Sequence, residues 1–277
     1  MKNQTKAPES MDWKKILDQS AKACAVGRKV LLEYYGHLKK VEEKKHAGLV
    51  SEADKESEKA IGEELKKILP EAEFLGEESA FAGASVQSGR AGEKGRWILD
   101  PLDGTTNYIH QFPLFCISLA LEVSSDIKMA IIDVPLLNET YTAIRGQGAW
   151  VNGQKLNVSR TTEVEKSLLS TGFFADDLPA LEEQLRIFSS LVRKARGVRR
   201  SGSAAYDLCQ VARGVFDAYW EKNLKPWDTA AGQLLVEEAG GVLLTYDGRA
   251  YNPYENSLIS GNPLMASHIQ KSVNLLV

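Results

Sequence analysis

Apolar residues recur at helical spacing from Trp13 to Tyr35 (Trp13, Ile16, Leu17, Ala23, Val30, Leu31), which predicts an amphipathic helix. A second helical pattern, rich in Glu and Lys, runs from about Asp54 to Leu69, and Pro70 closes it. The stretch "AFAGASVQSGRAGEKG", 80–95, is rich in Gly, Ala and Ser and reads as an exposed loop. The period then changes. "RWILD", "FCISLALEV", "KMAIIDV" and "ETYTAI" are short apolar or alternating runs between turn residues, the pattern of a strand meander, and Asn152-Gly153 adds a hairpin signal. After the strand-like "SLLSTGF" an amphipathic helix is expected over about Leu178 to Ala195. From Gly197 strand and helix patterns alternate through "GVRR", "SAAYDLCQVAR", "VFDAYW", "PWDTAAGQLLVEEAG", "GVLLTY" and "SLISG". A larger antiparallel sheet in the first half and an α/β layer in the second are predicted. The expected organisation is one unit over 1–277, with subregions of about 1–195 and 196–277.

Composition narrows the class. At 277 residues, with 43% hydrophobic and 26% charged residues, the chain can bury a large core. The net charge of −3 and a single short basic run, "RKARGVRR" at 193–200, are poor material for direct nucleic-acid binding. That run reads as a solvated helix end, with attraction of an anionic substrate as the functional alternative. No apolar stretch approaches the ~20 residues of a membrane span, and "MKNQTKAPESMDWKK" lacks the apolar region of a secretory signal. Cys24, Cys116 and Cys209 lie in apolar segments without metal-ligand spacing, as reduced core thiols of a cytoplasmic protein would.

The candidate chemistry is concentrated in "RWILDPLDGTTNYIH", 96–110. Pro101 keeps Asp100 extended, so the chain is expected to leave the strand "WIL" and turn at "PLDG", with both carboxylates at the mouth of the sheet. Two such carboxylates repel one another unless a cation lies between them, and all-oxygen ligands favour Mg²⁺ or Mn²⁺ over zinc. Gly104, Thr105 and Thr106 follow, and "TTNYIHQF" can begin a helix whose free N–H groups suit a phosphate. The alternative is a capping Asp103 and an ion-paired Asp100. Two further acidic clusters weigh against it: Glu77 and Glu78 in "FLGEESA", and Glu221 seven residues before Asp228 in "WEKNLKPWDTAAGQ".

"GEES" (76–79), "WILDPLDGTTNYIH" (97–110), "GSAAYDLCQVARGVFDAYWE" (202–221) and "KPWDTAAGQLLVEEAGG" (225–241) resemble, in order, the blocks of the inositol monophosphatase family of Mg²⁺-dependent, lithium-sensitive phosphatases. The resemblance spans about Val50 to Gly261. It implies a layered α-β-α-β-α sandwich, usually a homodimer, with Mg²⁺ in two or three sites. By position, Glu77, Asp100, Asp103 and Asp228 would be side-chain metal ligands and Leu102 would add its carbonyl; Asp54 matches the aspartate near a third metal. Thr105, with Glu77, would orient and deprotonate the attacking water. Gly104, Thr105 and Thr106 would hold the phosphate through their backbone, while Gly202, Ser203, Ala204 and Glu221 would line the alcohol pocket beside Asp103 and Asp228. The implied mechanism is in-line attack of a metal-activated water without a phosphoenzyme. Gly48 stands where the family often has aspartate, and Ser203 where threonine is common.

The haloacid dehalogenase type of phosphatase also ends a strand in aspartates, but two residues apart; Asp100 and Asp103 are three apart. Within the resembled family, Thr106 and Asn107 after "DGT" favour the inositol-phosphate branch over nucleotide or histidinol phosphates. Glu221 suits a small phosphorylated polyol, because a buried carboxylate accepts hydrogen bonds from hydroxyls. Fructose 1,6-bisphosphatase activity and a non-catalytic role with the transcription machinery are the alternatives. His37, His46, His110 and His268 lack metal spacing, and Trp97, Trp150 and Trp227 read as packing residues.

Overall fold

The computed structural model describes residues 11–44, 48–81, 91–174 and 177–276. Helix α1 (Trp13–Tyr34) starts at Asp12, whose carboxylate accepts the Lys15 N–H, and turns Ile16, Leu17, Ala23, Cys24 and Leu31 inward. Strands β1 (Val41–Lys44) and β2 (Gly48–Ser51) pair antiparallel and lead into α2 (Glu52–Ile68), which begins in a reciprocal cap between Ser51 and Asp54.

A seven-stranded sheet follows in sequence order: β3 (Glu73–Gly76), β4 (Arg96–Asp103), β5 (Cys116–Val123), β6 (Asp126–Val134), β7 (Glu139–Ile144), β8 (Ala149–Val151) and β9 (Gln154–Lys155). Only the β3–β4 pair is parallel. Two short helices, α3 (Glu77–Phe81) and α4 (Thr105–Ile109), follow β3 and β4. Asn152 and Gly153 both take left-handed φ (47° and 80°), as a two-residue hairpin turn needs.

The second sheet has five strands: β10 (Leu168–Thr171), β11 (Gly197–Arg199), β12 (Ala218–Lys222), β13 (Val242–Leu244) and β14 (Ser257–Gly261), in the order β11-β10-β12-β14-β13. The pairs with β10 are parallel and the others antiparallel, so the sheet is mixed. Helices α5 (Leu178–Val192), α6 (Ala204–Ala212), α7 (Pro226–Glu238) and α8 (Pro263–Asn274) complete the chain.

Three apolar clusters define five layers. Trp97, Leu99, Ile117, Leu119 and Met129 on one face of the large sheet pack on α1 and α2. Ile98, Ala120, Ala130, Ile132 and Tyr141 on the other face meet Leu208, Leu234 and Leu235 of α6 and α7, which lean on Tyr219 and Leu258 of the small sheet. Leu169, Trp220 and Ile259 then meet Ile187, Leu191, Met265 and Ile269 of α5 and α8. Strand alternation feeds two cores at once, as a sheet between helix layers requires. The predicted α-β-α-β-α sandwich is the observed architecture.

Three details differ from the sequence reading. The change of sheet comes at Leu168 rather than near residue 196, because β10 pairs with β11 and β12, which lie downstream. The chain does not turn at "PLDG": β4 runs on to Asp103. The small strands β1 and β2 carry no strong periodicity, whereas helix α8, absent from the sequence reading, has a cap and first-turn signal in Asn262 and Pro263 and apolar Met265, Ile269 and Val273 at helical spacing. The 80–95 loop reading falls largely on residues 82–90, outside the described residues, as does His46.

Candidate active site

In a regular strand, residues three apart face opposite sides of the sheet, which would separate Asp100 from Asp103. Asp100 pairs with Ser118 and Asp103 with Cys116, three steps on β4 against two on β5, so β4 carries a bulge. The extra residue returns Asp103 to the side of Asp100, and a bulge tolerates Pro101, which has no N–H to donate. Leu102 turns instead into the α1–α2 core.

Other elements close on this bulge. Glu77 starts α3 at the end of the parallel neighbour β3. Asp228 is the third residue of α7, and its Oδ2 accepts the Lys225 N–H at 2.7 Å. Asp100 Oδ1 accepts the Leu102 N–H at 2.9 Å. Asp103 Oδ2 accepts the Ser203 hydroxyl and the Ala205 N–H, both at 2.7 Å, at the start of α6. Thr105 Oγ1 lies 3.1 Å from Asp54 Oδ1 and 3.0 Å from the Leu102 carbonyl, so its one proton has two acceptors. Gly104 takes φ 94°, and a β-carbon there would meet the Leu114 carbonyl at 3.1 Å, so the backbone at this corner requires glycine.

Asp103, Gly202, Ser203, Ala204, Glu221 and Asp228 line a cleft of about 150 Å³, together with Thr171, Gly172, Arg200, Asp207 and Leu224. Gly104, Thr105 and Thr106 lie beside it on the α4 corner, and Asp54 lies behind Thr105. Glu221 accepts a hydrogen bond from Tyr219, and its carboxylate occupies the space a β-carbon would take at Gly172, within 2.0–2.3 Å of that position.

Three residues of this region were not singled out in sequence. Glu58, buried on α2, accepts the Glu78 and Ser79 N–H groups at 2.8 and 2.9 Å and so holds the start of α3. Gly76 leaves room for that carboxylate. Asp207 is buried on α6 with Oδ1 lacking a hydrogen-bond partner. A charge within the apolar run "SAAYDLCQVA" was the available signal for Asp207; Glu58 sits in a Glu/Lys-rich helix and has none.

Burial, then Glu77, Asp103 and Asp228, push Asp100 well above the usual carboxylate range. Burial, then Asp103, does the same to Asp228. Asp103 is raised by burial against the opposing pull of the Ser203 hydroxyl. Burial raises Glu221 to about 7 and Asp207 well above its ordinary value. These carboxyl groups share a desolvated space, the situation a divalent cation relieves. Among the described residues no group of three or more His, Cys, Asp or Glu side chains is arranged so that it could hold a metal ion. Asp100, Asp103 and Asp228 instead each bond a backbone N–H. An all-oxygen, mutually repelling donor set fits a hard cation such as Mg²⁺.

A carboxyl raised in the folded state contributes stability below its unfolded value and loses it as pH rises through the folded value. For Glu221 that window runs from 4.5 to about 7. The metal-free chain, melted in EDTA, is expected to have a lower Tm at about pH 8 than at about pH 5, and Mg²⁺ to raise Tm more at the higher pH. A Tm that rises with pH in EDTA would contradict this electrostatic picture.

Fold and site together define a layered α/β protein with an acidic cleft at the mouth of its larger sheet. The chain belongs to the inositol monophosphatase family, whose profile matches residues 12–275. It is 40% identical over 224 residues to the Nus factor SuhB of Pseudomonas aeruginosa, covering 80% of this chain and 81% of that one. It is 38% identical to the inositol-1-monophosphatase of Synechocystis, over 85% and 80% of the two chains. The crystal structure of the extragenic suppressor protein SuhB from Bartonella henselae superposes with a TM-score of 0.86 at 34% identity, over 95% of this chain and 100% of that one. No helix among the described residues is long and apolar enough to cross a membrane.

Proposed function

We propose that this protein is a Mg²⁺-dependent phosphatase that hydrolyses the monoester of a small phosphorylated polyol, inositol 1-phosphate before others, and works as a homodimer. The observation that carries the reading is the convergence of Glu77, Asp100, Asp103 and Asp228 beside a cleft holding Glu221. Those four side chains and the Leu102 carbonyl would hold the cation, with Asp54 near a third position. Mg²⁺, or Mn²⁺ in its place, would supply charge neutralisation for the phosphoryl group and acidify water.

The chain's own residues do the rest. Thr105, donating its proton to Asp54, leaves its oxygen as an acceptor that aims a water toward phosphorus, and Glu77 would share in deprotonating that water. Backbone N–H groups of Gly104, Thr105 and Thr106 hold the phosphate. Glu221, fixed by Tyr219 over Gly172, accepts hydrogen bonds from polyol hydroxyls, while Gly202, Ser203 and Ala204 shape the pocket wall. Ser203 also fixes Asp103 through its hydroxyl.

The test is phosphate release with Mg²⁺ from inositol 1-phosphate, fructose 1,6-bisphosphate, histidinol phosphate, 3′-phosphoadenosine 5′-phosphate and NADP. Preference for inositol 1-phosphate supports the polyol reading; silence on all five overturns the enzymatic one. The name of the Pseudomonas relative favours a second reading, binding to the transcription machinery. Capture of RNA polymerase by the tagged protein would support it, and failure to capture would remove it.

A further inference from the structure

The side of the small sheet that faces α5 and α8 carries polar groups with no part in the acidic cleft. Gln184 is fully buried on α5, and neither polar atom of its side-chain amide has a hydrogen-bond partner among the described residues. Glu183 Oε1, the Tyr246 hydroxyl and the Trp220 indole N–H lack one as well, and Tyr246 is only 6% exposed. Folded proteins rarely leave such groups unpaired, because burial strips each of its bonds to water. Trp220 and Tyr246 belong to the apolar cluster between this sheet and α5 and α8. Gln184 stands one turn before Ile187 of the same cluster, so these atoms share one layer.

A cavity of about 300 Å³ opens on this layer, with Glu183, Lys222, Tyr246, Asp247, Ser257 and Asn274 in its wall. Strand alternation puts it behind the acidic cleft. Glu221 faces that cleft, while Trp220 and Lys222, its two neighbours in β12, face the other way. The volume far exceeds the ~30 Å³ that one water molecule takes up in the liquid, so a single bridging water does not fill it. The charges of the wall are already matched. Lys222 Nζ lies 2.7 Å from Glu183 Oε2 and 5.5 Å from the centre of the Tyr246 ring, and Asp247 accepts from the Arg249 guanidinium at 2.9 Å.

The unpaired atoms of the wall select a ligand. Glu183 Oε1 can only accept, whereas burial, then the charges of Glu221 and Glu183, holds the Tyr246 hydroxyl well above its ordinary range, so it keeps a proton to donate. A cation would meet the Lys222 ammonium and leave the Tyr246 proton unpaired. An anion would meet Glu183 and Asp247 and leave Glu183 Oε1 unpaired. A hydroxyl group donates and accepts at once. We infer that this cavity is a second ligand site, for an uncharged polyol or sugar whose hydroxyls accept from Tyr246 and donate to Glu183 Oε1. The inference does not depend on the phosphatase reading.

The test is isothermal titration of the full metal-free chain in EDTA with myo-inositol, for the wild type, Tyr246→Phe and Glu221→Gln. Tyr246→Phe removes only a hydroxyl that has no partner, so its Tm is expected to equal or exceed that of the wild type, and a loss of binding then reports the site rather than the fold. Its Kd for myo-inositol is expected to rise at least about tenfold. Glu221→Gln, on the opposite face of β12, is expected to change that Kd by less than about twofold. Absence of binding to the wild-type chain would overturn the inference. Binding lost in Glu221→Gln and unchanged in Tyr246→Phe would place the polyol in the acidic cleft and overturn it too. Tighter binding of inorganic phosphate or of ethylammonium, weakened by Tyr246→Phe, would show a charged ligand and overturn the class. A lowered Tm in Tyr246→Phe would show that the hydroxyl is already bonded within the fold and remove the ground of the inference.

Discussion

Replacing Asp100 or Asp228 with Asn is expected to lower turnover with Mg²⁺ by on the order of 10³-fold while raising the Tm of the metal-free chain. Both effects have one cause. Each carboxylate is held in a desolvated site beside other acids, so the folded chain disfavours its charge. Asparagine retains an oxygen for the Leu102 or Lys225 N–H and removes that charge, which stabilises the fold but deprives the cation of a ligand. Phosphate release and calorimetry in EDTA measure the two sides. Full activity in either variant would end the assignment of these residues as metal ligands, and a lowered Tm would show that their burial is not the strain described here.

Gly172→Ala is expected to lower kcat/KM on the preferred polyol phosphate by roughly 10²-fold, with the fold intact. The added methyl group falls on the Glu221 carboxylate, the far end of a movable side chain, so Glu221 yields rather than the backbone. Losing that position also breaks the Tyr219 contact. A double-mutant cycle with Glu221→Gln separates this from general damage: the two substitutions should be strongly non-additive, because each removes the same recognition group. Additive losses would place the effect of Gly172 elsewhere.

The elements that sequence predicted best are those set by near neighbours. The Trp13 helix, the strands from Arg96 to Ile144, the Asn152-Gly153 hairpin and the α7 start at Pro226 follow from periodicity, capping and turn chemistry within a few residues. The acidic residues of the candidate site were legible for the same reason, as each stands at the end of a strand or the start of a helix. The β4 bulge was less legible. Pro101 marks an interruption, but whether the chain turns or continues depends on pairing with β5.

Sequence alone therefore determined the helix and strand types, the two-sheet character and a set of acidic candidates, because these depend on local backbone preference and on which faces must leave water. Tertiary structure decided that Asp100 and Asp103 share a side, that Glu58 holds the start of α3, that Gly172 makes room for Glu221, and that Arg200 rather than its basic neighbours reaches the cleft. Each of these joins residues 20 or more positions apart or depends on the register between strands. Such contacts are chosen by the packing of whole layers, and short-range pattern carries no record of them.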